Sequence, residues 1–227
     1  MDVVSWNLFH GRSLPPTRRG LLGEFAAHLA EWRWDVALLQ EVPPWWPELL
    51  AHRAGTEQRA ALTSRNGALA LRRLLAARQP ELLKSNGGGC NAILSRRPIA
   101  EHRAIRLRVW PERRVAQLVR MSDGACLVNY HASTRVPLAE DELARLSQLA
   151  LDFADGAPLV LGGDLNLRQP QPDARLAHVA DRDVDHLFAH GLRRTSEPRL
   201  LDRRVRLGDS DVQLSDHPPL LVSLAPA

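Results

Sequence analysis

The sequence predicts one α/β domain built on mixed β-strands. Three observations carry this. Short apolar runs of strand length recur along the whole chain, two long amphipathic helical patterns interrupt them, and no long linker, repeat or low-complexity block divides the 227 residues. A chain of this length can bury a substantial core. Its 44% hydrophobic and 25% charged content is ordinary for a globular domain, and nothing in it reads as disordered.

The elements follow in order. Val3, Val4 and Trp6 give a first strand over 2–6 that ends at Asn7. Leu21, Leu22, Phe25, Leu29 and Trp32 recur at helical spacing, so 20–33 is an amphipathic helix. "DVALLQEV" (35–42) is a buried strand ending in Gln40 and Glu41, and after a proline-rich start the next segment turns helical around 67–78. "NAILS" (91–95) is a short strand. Strands at 101–109 and 113–121 lead through the turn "SDG" to another at 125–131, and 138–154 forms the second long helix. "PLVLGGDLNL" (158–167) reads as a buried strand stopping on two glycines. If its extended backbone continues, Asp164 and Asn166 share a face, although a plain turn explains the same residues. A strand pair at 203–207 and 218–224 closes the chain.

Composition limits function only weakly. All but one of the 30 Lys and Arg residues are arginine, Lys84 being the exception, and the net charge is +4. This skew is weak support for a nucleic-acid partner. Cys90 and Cys126 have no motif spacing and are expected as free thiols. No apolar run approaches the roughly 18 residues of a membrane span. "MDVVSWNLFHGR" has no leader pattern, so a cytoplasmic monomer without stable membrane association is the expectation.

Polar residues used in phosphoryl chemistry cluster where apolar runs stop: Asn7, Glu41, His131, Asp164 with Asn166, and Asp185. Loops at strand carboxyl ends are where ligands collect in open sheets. Asp216 and His217 instead precede their apolar run, so they reach that rim only if the last strand is antiparallel. "SWN", "LQE", "NAILSRRPI", "NYHAS", "GGDLN", "VDHLF" and "SDHPPL", in that order, resemble the DNase I-like endonuclease/exonuclease/phosphatase superfamily over nearly the whole chain.

The resemblance implies a four-layer α/β/β/α sandwich of two mixed sheets spanning 1–227 as one domain. It also implies phosphoester hydrolysis with Mg²⁺, for which Mn²⁺ can substitute. Glu41 is then the principal metal ligand, supported by Asn7 and Asp216. A hard cation prefers such oxygen donors and keeps much of its water. Asp164 orients the attacking water, Asn166 holds that water or a phosphate oxygen, and Asp185 fixes His217, which acts as base or as donor. His131 contacts a phosphate oxygen or the leaving group.

His10 and Arg12 are either substrate-phosphate contacts or surface residues. Arg96 and Arg97 read as a solvated turn. Trp45 and Trp46 read as loop packing ahead of a substrate groove, and the segment 67–83 as a lid or an outer helix. His131, Asp164, Asp185, His186 and His217 could also be read as a two-metal set, but the family pattern explains the carboxylates better and disfavours zinc. Phe9 stands where the abasic-site branch commonly has an acidic residue, and the chain is closer to the short bacterial members. A phosphodiesterase or nuclease is therefore expected. The alternatives are a phosphomonoesterase on a small or lipid-derived phosphate, or a silent phosphate-binding member.

Overall fold

Alternation along the first strand shows how the layers stack. In the computed structural model, which describes residues 1–63, 68–78 and 89–227, β1 (Asp2–Asn7) sends Val3 to one face and Val4 and Trp6 to the other. Val3 meets a second sheet, whereas Val4 and Trp6 meet helices. Successive side chains of a strand point to opposite faces, so one apolar run serves two interfaces.

After β1 come a 3-10 turn (Phe9–Gly11), β2 (Ser13–Leu14), α1 (Leu22–Glu31), β3 (Val36–Val42) and α2 (Pro47–Ala54). Then follow β4 (Glu57–Leu62), α3 (Leu69–Arg78), β5 (Cys90–Ser95), β6 (Ile99–Arg108), β7 (Arg114–Met121) and β8 (Cys126–His131). The second half holds α4 (Val136–Ala154), β9 (Leu159–Asp164), β10 (Ala177–Arg182), β11 (Asp185–His190), β12 (Leu192–Arg194) and β13 (Arg199–Leu200). It ends with β14 (Arg204–Leu207), β15 (Ser210–Leu214) and β16 (Leu220–Pro226).

One large sheet runs β12-β16-β1-β3-β5-β4, with β13 also on β16; the other large sheet runs β10-β11-β9-β8-β7-β6, and β14-β15-β2 form a small third sheet. Val3, Val36, Leu38 and Ile93 of the first pack on Val119, Leu127, Val160 and Leu187 of the second. On the outer face of the first sheet Phe25, Leu29 and Leu50 from α1 and α2 are fully buried. Burial of each contributes roughly 1.5–3 kcal/mol. Leu143, Leu146 and Ala150 of α4 cover the second sheet against Val128, Tyr130 and Leu161. The architecture is a sandwich of two mixed sheets between helices.

Near one end the interior turns polar. Gln40 donates to Asn129 Oδ1 (2.8 Å), and Asn129 Nδ2 donates to the carbonyls of Leu39 (2.9 Å) and Ala92 (3.0 Å). All are buried, and these bonds bridge the sheets just beneath the rim, where β1 and β3 end and where β8 and β9 end beside them. Buried amides satisfied in this way fix one relative placement of the sheets.

Several expectations are corrected. The run at 158–167 does not stop at its glycines. β9 passes through them to Asp164, and the chain then turns at Asn166, whose φ is 51°. A Cβ on Gly162 would lie 2.3 Å from Leu187, and one on Gly163 would lie 2.0 Å from the Tyr130 carbonyl, so close packing requires both glycines. Asp185 begins its strand, and β11 runs antiparallel to β9, pairing Asp185 with Asp164. The segment 203–207 pairs with β15, while 218–224 belongs to β16, antiparallel to β1 as the position of His217 required. Of the segment 67–83, α3 lies within the described residues; residue 67 and residues 79–83 lie outside them.

Candidate active site

The site is assembled from strand ends of both sheets. Asn7 closes β1, and its Nδ2 donates to Asp164 Oδ2 (2.9 Å) while its Oδ1 accepts from Phe9 N (2.9 Å). Glu41 lies in a bulge of β3, where pairing with β5 shifts register between Leu39 and Val42, and its φ is 51°. A bulge adds a residue to one strand and re-aims a side chain, and a non-glycine residue at positive φ is strain held by its surroundings.

Asp164 is the hub. Its Oδ1 accepts from Asn166 N (3.1 Å), and its Oδ2 lies 3.5 Å from His131 Nε2 and 3.9 Å from His217 Nε2. His217 Nδ1 donates to Asp185 (2.7 Å). Ser215, at φ 66°, shapes this last turn: its hydroxyl donates to Asn7 O (2.6 Å) and accepts from His217 N (3.0 Å). Trp6 Nε1 donates to His217 O (3.0 Å), so β1 holds the histidine from below.

Burial sets the electrostatics. Burial and the charges of Asp164 and Asp216 push Glu41 up to about 7. Burial also pushes Asp164 upward. For His217 burial acts downward, but the Asp185 bond and the charges of Asp185, Asp164 and Asp216 outweigh it and raise the imidazole to about 9. Burial raises Asp185 to about 6, with the bond to His217 opposing it. The bonded pair is therefore an imidazolium on a carboxylate. His131 is held well below its ordinary value by burial, then by Arg114, His10 and His217.

The donor set can be tested for a cation. Glu41, Asn7 and Asp216 offer only oxygen, the chemistry of a hard divalent ion, and crowding of Glu41 by two other carboxylates is what such an ion relieves. Donor atoms of Asp164, Asp185 and His217 also lie within 4.8 Å of one another. In that trio His217 Nδ1 is bonded to Asp185, which leaves Nε2, on the Asp164 side, as its free nitrogen.

Asn7, Glu41, His131, Asp164, Asp185 and His217 thus converge, with Asp216 beside them, 3.9 Å from His217 Nε2. Asn166 is turned aside, its Nδ2 donating to Ala132 O (3.0 Å). His10 Nε2 lies 3.1 Å from Glu41, and burial and then Arg12 push the ring down to about 4, so it stands as a neutral partner of Glu41. The Arg12 guanidinium lies 3.7 Å over the Phe9 ring.

Trp46 is buried against Gly11 and Phe25, which makes it a packing residue, and Trp45 is half-buried beside Pro44, Ala70 and Arg73. Arg96 bonds the carbonyls of Trp34 and Ala54 at the opposite end, so it ties loops together rather than solvating a turn. His186 Nε2 donates to Leu167 O (2.7 Å) and its Nδ1 lies 3.2 Å from His178 Nε2, outside the convergent set.

Sequence reasoning gave no role to Ser215 or Glu142. Glu142 is fully buried on α4; it accepts from Ser133 N (2.8 Å), Ser133 Oγ (2.7 Å) and Arg108 Nε, clamping the loop after His131 to the tip end of the β6–β7 hairpin. A lone Glu on an amphipathic helix reads as solvated, and only tertiary contact distinguishes it.

The Endonuclease/Exonuclease/phosphatase family matches residues 4–217. TDP2 from Caenorhabditis elegans superposes with a TM-score of 0.70 at 19% identity, over 99% of this chain and 74% of that one. An endonuclease/exonuclease/phosphatase from Beutenbergia cavernae gives 0.71 at 20% identity, over 100% and 71%. The mannosyl-6-phosphatase of Bacteroides thetaiotaomicron gives 0.73 at 15%, over 99% of both chains. No curated protein matches the sequence. With this family match spanning nearly its whole length and the same fold in these neighbours, the chain belongs to the Endonuclease/Exonuclease/phosphatase family.

Proposed function

We propose that this protein is a divalent-metal-dependent phosphoester hydrolase, acting on phosphodiesters by in-line attack of a water molecule. The observation that carries the reading is the meeting of Glu41, Asn7, Asp164 and the His217–Asp185 pair at one rim. Glu41 would hold the ion with Asn7 and Asp216, and Mg²⁺, or Mn²⁺ in its place, would supply Lewis-acid charge to a phosphoryl oxygen.

The chain's own groups do the rest. Asp164, its Oδ1 steadied by Asn166 N and its Oδ2 by Asn7, orients the water. Its upward-shifted carboxyl makes it a better proton acceptor than an exposed aspartate. His217, raised to about 9, carries a proton at neutral pH and donates to the oxygen on which charge develops. Asp185 keeps that proton on the ring and fixes its orientation. His131, neutral, is within reach to donate to a phosphate oxygen or the leaving group. Asn166 contributes by shaping the Asp164 turn rather than by its amide.

The test is a substrate panel with Mg²⁺ or Mn²⁺: bis-p-nitrophenyl phosphate, p-nitrophenyl phosphate, single-stranded and duplex DNA, RNA and phosphoinositides. The diester is expected to be cleaved faster than the monoester. Faster monoester cleavage would replace the phosphodiesterase reading by a phosphatase, and cleavage of nothing would end the hydrolase reading.

A further inference from the structure

Metal-ligating side chains gather a second time on the outer face of the second sheet. β10 stands at the edge of that sheet, and its pairing with β11 slips by one residue between His178 and Ala180. In a regular strand His178 and Asp181, three positions apart, would point to opposite faces. The bulge puts both on the face of His186 and Phe188, pairing Asp181 with His186 and His178 with Phe188. Asp185, the chain neighbour of His186, points to the other face and bonds His217.

Both rings are held in place. His186 is buried, and its Nε2 meets the Leu167 carbonyl at 2.7 Å; a carbonyl only accepts, so Nε2 carries the proton and Nδ1 presents a lone pair. Burial holds this imidazole below its ordinary value, which keeps the ring neutral. His178 Nε2 faces that lone pair from 3.2 Å, and the His178 ring stacks on Phe188 with centroids 4.9 Å apart. Asp181 Oδ1 lies 3.8 Å from the same His178 nitrogen, and the Asp183 carbonyl also faces the His186 ring. The side chains of His178 and Asp181 are exposed, so the cluster opens to solvent on their side.

We propose that His178, His186 and Asp181 form a binding site for a late first-row divalent cation, Zn²⁺ first among them, separate from the oxygen donors around Glu41. Two imidazole nitrogens on one tetrahedral zinc stand about 3.3 Å apart, close to the 3.2 Å between these rings. Imidazole donors select zinc, copper or nickel over Mg²⁺. The Leu167 carbonyl does for His186 what an outer acceptor does for a zinc-bound histidine: it fixes the tautomer and aims the free nitrogen. Binding releases to solvent the proton that His178 Nε2 otherwise donates to His186, and draws the exposed Asp181 carboxylate inward as third ligand, with water in the fourth place. The ion then ties edge strand β10 to β11 across the bulge, where ladder bonding is interrupted.

The experiment is calorimetric titration of Zn²⁺ into the intact chain with Mg²⁺ in excess, for wild type, Glu41→Gln, Asp181→Asn and His178→Ala. Hydrogen exchange over residues 177–190 is followed in parallel, and a thermal melt without metal reports that each variant folds. Wild type and Glu41→Gln should each take up one equivalent of Zn²⁺ that His178→Ala lacks, and Asp181→Asn should bind that equivalent at least about ten-fold more weakly. Zn²⁺ should slow exchange of the β10–β11 amides in wild type and leave His178→Ala unchanged, whereas Mg²⁺ alone should slow neither. The proposal is overturned if folded His178→Ala takes up as much Zn²⁺ as wild type, or if exchange over 177–190 ignores Zn²⁺; the contact is then a hydrogen bond between two rings and nothing more. Equal protection by Mg²⁺ would overturn the choice of cation. Zn²⁺ uptake requires no turnover, so this site stands or falls apart from the hydrolase reading.

Discussion

His217 and Asp185 join the two sheets across the rim: Asp185 opens β11 of one sheet, His217 precedes β16 of the other, and 2.7 Å separates Nδ1 from the carboxylate. Burial alone would drive His217 below 6.5, and the Asp185 bond and charge, with smaller contributions from Asp164 and Asp216, reverse the sign. Asp185→Asn should return the ring, followed by NMR titration, from about 9 to 6.5 or below, and turnover at neutral pH should fall about 10²–10⁴-fold. A raised histidine stabilises the fold below its unfolded pKa and loses that contribution as pH rises through about 9, so this alkaline component should disappear in the variant.

Glu41 carries the opposite liability. Its carboxyl is raised from 4.5 to about 7, so in metal-free protein its share of stability is present below pH 4.5 and is lost as pH rises through about 7. The shift corresponds to roughly 3 kcal/mol. Glu41→Gln should therefore melt higher than wild type at pH 8 without metal, and should gain little when Mg²⁺ is added, whereas wild type gains. Thermal melts at pH 5 and pH 8 check both statements.

Asp164→Asn separates water activation from metal binding. The amide oxygen can still accept from Asn7, but the side chain can no longer take a proton. Turnover should fall about 10³-fold while the Mn²⁺ concentration for half-maximal activity stays unchanged. An active Asp164→Asn would assign Asp164 to the turn alone.

Gly163→Ala tests why the glycine is there. Its φ is 136°, and an added Cβ would sit 2.0 Å from the Tyr130 carbonyl, so β8 and β9 would have to part. A loss of at least about 3 kcal/mol in urea denaturation is expected, with overpacking and backbone strain both contributing.

The layers were legible because both outer helices and the inner strands write their faces into the spacing of large apolar residues, as with Phe25 and Leu29 or Val3 and Val4. What escaped was short or at an edge. α2 is eight residues beginning at Pro47, too short to establish a period, and β4 is an edge strand in which Ala61 alone is buried. β15 was lost because Gly208 and Asp209 look like open loop until the turn is seen to close a hairpin.

In the site, Asn7, Glu41, Asp164 and His217 were readable as chemistry-bearing residues at the ends of apolar runs. Their companions were not. Ser215 works through a backbone carbonyl 208 positions away, and His10 turns toward Glu41 only because Phe9 and His10 both take positive φ. Asn166 misled for a local reason: alternation predicts a shared face with Asp164, but the strand ends at Asp164, two residues before it.

The most direct measurement of the central claim is the initial rate on bis-p-nitrophenyl phosphate with Mg²⁺, after EDTA, and after Mg²⁺ is restored in excess, for wild type and Glu41→Gln. Turnover should be abolished by EDTA and recovered in excess Mg²⁺, and the Glu41→Gln protein should stay folded and inactive at every Mg²⁺ concentration. Turnover that survives EDTA, or a Glu41→Gln variant as active as wild type, would contradict it.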